Sequence, residues 1–276
     1  MKYIFIIFVL FFWGCESPSS TGNKNILLFL PLVLNSQTTV NAQITIPEDF
    51  ADTVVYAPND NGTGFRDKNN AINGVRGAGC CSGSTDVFTL SKTGDGAQIV
   101  FEWKNNKILN GLGIDFVVFE NPFRVGSENS STFFMEQLIA EVSIDGIKYC
   151  GFSPQYLAQD INKYSNIPEK WKGFAGMTPV LYNIETNPLT GDKIYDKSLA
   201  GGDGFDLQDL TSDNSFGIGC SEDISNKIKN EGFVYLRLVS ATSRLIPGTS
   251  NYFPSDIASF DGPDIDGVAA RYRIKR

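Results

Sequence analysis

From Ile44 onward the chain alternates short apolar or aromatic runs with clusters of Gly, Asn, Asp and Pro. Short runs bounded by turn formers are the mark of an all-β domain rather than a helical one. The pattern predicts strands over residues 53–56, 87–90, 97–103, 113–120, 138–144, 147–152, 233–240 and 267–274. In residues 98–104, Ile99, Phe101 and Trp103 alternate with Val100, Glu102 and Lys104, as in a strand with one face toward water. Asp145-Gly146 joins two of the runs and is the strongest hairpin signal in the chain. Two short helices are expected. One runs from Ser153 as N-cap and Pro154 to Asn162; the other runs from Ser221 to Asn230, with Glu222 and Asp223 in its first turn and Gly232 beyond its end.

The most informative stretch is GLGIDFVVFENPF, residues 111–123. Ile114 and Phe116 to Phe119 make a short apolar run of the kind seen in strands covered on both faces. Asp115 interrupts it, Glu120 and Asn121 close it, and Pro122 ends any further ladder bonding. GGDGFDL at residues 201–207 and DGPDIDGV at 261–268 repeat the combination of glycine, carboxylate and large apolar residue. The three segments are therefore expected to meet in space. Calcium takes six to eight oxygen ligands gathered from separate loops. Glu120, Asp203, Asp206, Asp264 and Asp266 are the predicted ligands of one calcium ion, with Asp115 and Asn121 as second choices. The alternative is that Asp206 and Asp264 cap turns through neighbouring backbone N–H groups.

The chain has 276 residues, a size that all-β sandwiches reach as one domain, here expected over residues 44–276. Its net charge of −8 and lack of a basic cluster argue against a nucleic-acid partner. It contains no histidine, which removes the usual general base, the Ser-His and Cys-His pairs and most zinc and copper sites.

Ahead of the domain, Lys2 is followed by YIFIIFVLFFWG and Cys15, the layout of an export signal over residues 1–14. Gly14-Cys15 before a polar stretch looks like a lipobox, so Cys15 is expected to be acylated and residues 15–43 to form a tether. An ordinary secretory signal is the alternative, as is a second cut near Ala42 that leaves a soluble exported protein. An outer-membrane or cell-surface location follows from the lipid anchor, a periplasmic or secreted one from the alternatives.

With Cys15 set aside, Cys80, Cys81, Cys150 and Cys220 remain. An even number in an exported chain favours disulfides. Bonding of the adjacent Cys80 and Cys81 needs an eight-membered ring, so each is expected to pair with one of Cys150 and Cys220.

FVVFENPF, EVSIDG, FAGMTP, GGDGFDL, FVYLRLVSA and DIDGVAARY, in that order, resemble a family of leptospiral surface lipoproteins of unassigned function. More remotely they are similar to exported bacterial cell-surface domains with FEN, AG-TP, GGD-FDL and FD-D-V segments. The resemblance implies an extracytoplasmic β-sandwich of jelly-roll or galactose-binding-like type with long loops. It does not imply a substrate, because that architecture hosts many functions.

Three activities are consistent with these residues. The first is a binding module for a carbohydrate, matrix component or envelope protein, with Tyr156, Tyr164, Trp171 and Tyr182 presenting rings alongside Phe174 and Tyr195. The second is a glycoside hydrolase or lyase built on two carboxylates, such as Glu136 with Glu141 or Asp115 with Glu120. The third is a structural envelope protein without a small ligand. No catalytic motif is present, and Ser82, Ser84 and Ser127 lie in turn-like sequence without a base, so the first reading is preferred and enzymatic activity is not expected.

Overall fold

Strands form where apolar residues alternate or run between turn formers. In chain order they begin with β1 (Thr53–Tyr56), β2 (Phe88–Thr89), β3 (Gln98–Glu102), β4 (Asn106–Ile108), β5 (Phe116–Glu120), β6 (Phe123–Arg124), β7 (Phe133–Phe134) and β8 (Leu138–Ser143). They continue as β9 (Cys150–Gly151), β10 (Gln155–Tyr156), β11 (Trp171–Lys172), β12 (Asp203–Phe205), β13 (Tyr235–Ser240), β14 (Asp264–Ala270) and β15 (Arg273–Lys275). The structure, a computed structural model, describes residues 45–256 and 261–276. The predicted signal, Cys15 and tether lie outside the described residues.

Two antiparallel sheets dominate, one ordered β1-β3-β13-β8-β9 and the other β12-β5-β14-β2. Their inner faces share one core. Ile99, Phe101, Leu138, Ala140, Val142, Leu236 and Leu238 come from the larger sheet, and Phe116, Val118, Ile265, Val268 and Ala270 from the smaller. The fold is thus the all-β sandwich that the pattern implies. Each of the Ile, Leu, Val and Phe side chains among them contributes about 1.5–3 kcal/mol on leaving water.

β5 is buried along its whole length, as a strand covered on both faces should be. Its alternate residues Val117 and Phe119 face a second cluster with Phe50, Val180, Tyr182 and Ile194, which covers the far side of the smaller sheet. A third cluster, around Met135, Ile139, Trp171, Phe174 and Phe253, gives the long loops a core of their own.

β8 and β9 do pair around Asp145-Gly146, but the connection is longer than the two residues expected: β8 ends at Ser143 and β9 begins only at Cys150. Asp145 Oδ1 accepts from the N–H groups of Ile147 and Lys148, and Gly146 takes a φ of 75°. The second predicted helix is α2 (Glu222–Glu231), after a four-residue α1 (Lys197–Ala200) that the pattern did not announce. Ser221 caps α2 by accepting from Ile224 N, and Gly232 ends it at a φ of 84°.

The helix expected over residues 153–162 is replaced by β10 and turns. Ser153 sits at a φ of 49°, outside the extended region an N-cap needs. Tyr156 turns inward to pack on Trp171, ring centroids 4.0 Å apart. The last predicted strand is two: β14 starts earlier, at Asp264, and the chain turns at Arg271 and Tyr272 before β15.

The expected cysteine pairing is corrected. Cys150 bonds to Cys220 and Cys80 bonds to Cys81. Cys150 lies in β9 at the edge of the larger sheet, where the chain entering α2 brings Cys220 within a Cα distance of 5.1 Å. Cys80 is held elsewhere, its carbonyl accepting from Arg124 N at 2.7 Å, so its partner is its own neighbour.

Candidate ligand-binding cleft

The three glycine-carboxylate segments do meet, as adjacent strands: β12 and β14 flank β5. Glycine is required at the turn into β12. Gly201 and Gly202 have φ of 69° and 71°, and a Cβ on Gly201 would lie 2.0 Å from the Pro179 carbonyl oxygen. This close approach brings Asp203 against the FAGMTP segment. Asp203 Oδ2 accepts from Met177 N at 2.7 Å and from Thr178 N at 3.2 Å, while Oδ1 accepts from Thr178 Oγ1 at 2.7 Å. Burial pushes the Asp203 carboxyl up, opposed by Lys197, whose Nζ is 3.5 Å away, and by these bonds.

On the other side of the same segment stands Glu120. A Cβ on Gly176 would lie 2.4 Å from the Glu136 carbonyl oxygen and 3.1 Å from Glu120 Oε2. Glu120 Oε1 accepts from Asp264 N at 3.0 Å, and Oε2 is buried without a hydrogen bond. Burial, then the neighbouring Glu136 and Asp264, holds this carboxyl well above the usual range. Asp203 thus holds the glycine-containing loop by hydrogen bonds, and Glu120 stands against its other side.

The predicted calcium set does not converge. Glu120 shares the alternation of Phe116 and Val118 and points toward the inter-sheet core. Asp266 falls in the register shift between Ile265 and Gly267, and its Oδ1 accepts from Arg76 N at 2.9 Å. Asp206 accepts from Gln208 N at 2.8 Å as the cap of a short turn, the alternative use of that residue. Asp264 Oδ1 accepts from Thr89 Oγ1. Among the described residues no group of three or more His, Cys, Asp or Glu side chains is arranged to hold a metal ion. Of the second choices, Asp115 is buried and accepts from Gly111 N and Leu207 N at 2.7 Å each. Asn121 clamps Ser84 through its N–H and C=O.

Beside β12 and the loop that Asp203 holds, a cleft of 710 Å³ opens. One wall is the segment from Pro168 to Thr178 and the other runs from Gly201 to Asp209. Trp171 forms part of the floor with Phe174, their rings edge to face at 5.3 Å. Glu169, Lys172 and Asp209 line the cleft, and their side chains make no hydrogen bond or ion pair among the described residues.

The predicted ring set is therefore corrected in role. Trp171 is 2% exposed, Tyr182 1% and Tyr156 9%; they pack on one another and on the clusters instead of standing out from loops. Tyr164 is partly buried, donating from its hydroxyl to Met135 O at 2.8 Å. Long loops need apolar residues for their own core, and these rings supply it. Trp171 alone of the four reaches the cleft. The cleft's charged residues were missed because isolated surface charges carry no spacing signal.

Two members of the proposed carboxylate pairs are tied up within the fold. Glu141 is fully buried and ion-paired to Arg237 and Arg244, and Asp115 binds backbone N–H groups. Neither Glu141 nor Glu120 lines the cleft. No protein-family model, curated protein or solved structure matches this chain.

Proposed function

We propose that the domain is a non-catalytic binding module that holds a carbohydrate in the cleft beside β12, on a chain tethered to the outer membrane or cell surface through an acylated Cys15. The observation that carries the reading is the cleft's trio of Glu169, Lys172 and Asp209, charges of both signs whose side chains have no hydrogen-bond or ion-pair partner among the described residues. A sugar offers hydroxyl donors to carboxylates and oxygen acceptors to an ammonium. Pre-formed walls support this use: Gly201 is locked against Pro179, and Asp203 fixes the loop behind Trp171. The resemblance to surface lipoproteins agrees with an exported location.

The test is calorimetric titration of the purified full chain with a panel of neutral oligosaccharides, repeated with Lys172→Ala and Asp209→Ala. Loss of one hydrogen bond to a charged group weakens binding by about tenfold or more. Absence of binding across the panel, or unaltered binding by both variants, would refute the reading.

A further inference from the structure

The two disulfides of the domain stand in opposite environments. Cys150 and Cys220 are 0% and 9% exposed, and both belong to the inter-sheet core. Cys80 is half-buried, and Cys81 beside it is the one exposed residue of the four bonded cysteines. Thiol–disulfide exchange requires an incoming thiolate to reach a sulfur of the bond, so access decides which bridge reacts while the chain is folded. Buried structural cysteines are inert for the same reason.

The exposed bridge is also joined to a neighbouring element. Its loop is anchored at one end by Gly79 N, which donates to Val180 O at 3.0 Å, and at the other by the Asn121 side chain, which clamps the Ser84 backbone. Between these anchors the one hydrogen bond among the described residues runs from Arg124 N to Cys80 O, at 2.7 Å. That carbonyl belongs to the Cys80–Cys81 peptide bond, which the disulfide closes into a ring. Cross-linking of the two side chains therefore fixes the direction of the peptide that accepts from Arg124.

Arg124 lies in the β6–β7 ribbon. There Phe123 stacks on Phe134 with ring centroids 5.1 Å apart, and the Arg124 guanidinium lies 4.6 Å from the centre of the Phe133 ring. On the other side of the bridge, Gly79 has a φ of 87° and no atom within 4 Å of its Cβ position, so a loop released from the ring has room to turn.

We infer that Cys80–Cys81 is an exchange site for low-molecular-weight thiols, and that its oxidation state sets the hold of this loop on the β6–β7 ribbon. A thiolate attacks Sγ of Cys81. The S–S bond breaks, its electron pair leaves with Sγ of Cys80, and that sulfur takes a proton from water. A second thiolate attacks the outer sulfur of the mixed disulfide and releases Cys81 as a thiolate, which is protonated in turn. The protein gains two electrons and two protons, and two small thiols leave as one disulfide. The bonded residues are chain neighbours, so reduction parts no distant segments and the sandwich stays folded.

The experiment blocks free thiols of the folded full chain with N-ethylmaleimide, adds excess reduced glutathione, quenches at intervals with iodoacetamide and maps the peptides by mass spectrometry. Cys80 and Cys81 are expected to acquire label or a glutathione adduct at least about tenfold faster than Cys150 and Cys220. Hydrogen exchange over residues 122–126 is expected to quicken by about tenfold on reduction, and likewise in the double variant Cys80→Ser, Cys81→Ser, whose melting temperature stays close to that of the unaltered protein. Equal labelling of the two bridges, or a Cys80–Cys81 bond that is inert in the folded chain, overturns the exchange site. Unchanged hydrogen exchange over residues 122–126 in both the reduced protein and the double variant overturns the coupling to the ribbon.

Discussion

Arg237 stands directly opposite Glu141 on adjacent strands of the larger sheet, and the two form an ion pair almost wholly out of water. Arg244 joins the same carboxylate at 3.0 Å, and the Arg237 guanidinium lies 3.9 Å from the centre of the Tyr149 ring. Leu236 and Leu238 on either side of Arg237 face the inter-sheet core, so the pair occupies the opposite face. Removing one partner of such a pair leaves a buried charge uncompensated.

Glu141→Ala is accordingly expected to cost about 3–5 kcal/mol of unfolding stability. Glu141→Ala combined with Arg237→Met is expected to recover much of that loss, since it removes the buried orphan charge and leaves only Arg244, whose side chain reaches water. Urea unfolding of the single and double variants measures the difference.

Gly201→Ala tests the cleft wall. The added methyl group meets the Pro179 oxygen in a backbone conformation that L-residues avoid. The expected result is a loss of more than about 2 kcal/mol in stability. At Gly191, which also has a positive φ but open space around it, the same change is expected to cost about 1 kcal/mol. A smaller effect at 201 than at 191 would contradict the close-packed wall.

Stability is expected to fall as pH rises. Burial pushes the Asp266 carboxyl up to about 8, and Glu120, Asp203, Asp264 and Asp115 are raised for the same leading reason. A carboxyl raised in the fold keeps its proton there while the unfolded chain has lost it. Its contribution is therefore complete below the unfolded value near pH 4 and is lost progressively up to the folded value, at about 1.4 kcal/mol per pH unit. Asp266→Asn keeps an oxygen for Arg76 N and removes the ionisation. Between pH 5 and pH 8 the variant is expected to show a shallower decline in denaturant midpoint than the unaltered protein.

The two disulfides are expected to differ in weight. Cys150–Cys220 closes a loop with a sequence separation of 70 and is worth about 4 kcal/mol by loop closure. Cys80–Cys81 closes almost no chain and constrains the unfolded state little. Replacing Cys150 and Cys220 by Ala is expected to lower the melting temperature by about 8–16 °C, clearly more than replacing Cys80 and Cys81. Non-reducing peptide mapping checks the pairing itself.

The sequence by itself determined the fold class and several of its parts, because the forces behind them are local. β1 is found at the predicted residues, and the unbroken run of β5 marks a strand covered on both faces. Ser221 and Gly232 bound α2 because a helix needs an acceptor at its start and a left-handed residue at its end. Asp145-Gly146 specifies its hairpin through the turn it can adopt.

Only the tertiary structure decided what stands beside what. β13 lies between β3 and β8, neighbours far off in sequence, so the Glu141–Arg237 pair had no local signature. Alternation of side chains in β5 and the register shift in β14 sent Glu120 and Asp266 to different surroundings, dividing a set of carboxylates that looked like one cation site. Tyr156, Trp171 and Tyr182 turned inward because loops of such length must bury apolar surface, a demand met across the whole molecule. The cleft exists because Gly201 allows β12 to approach Pro179, a contact between segments that no stretch of either one reveals alone.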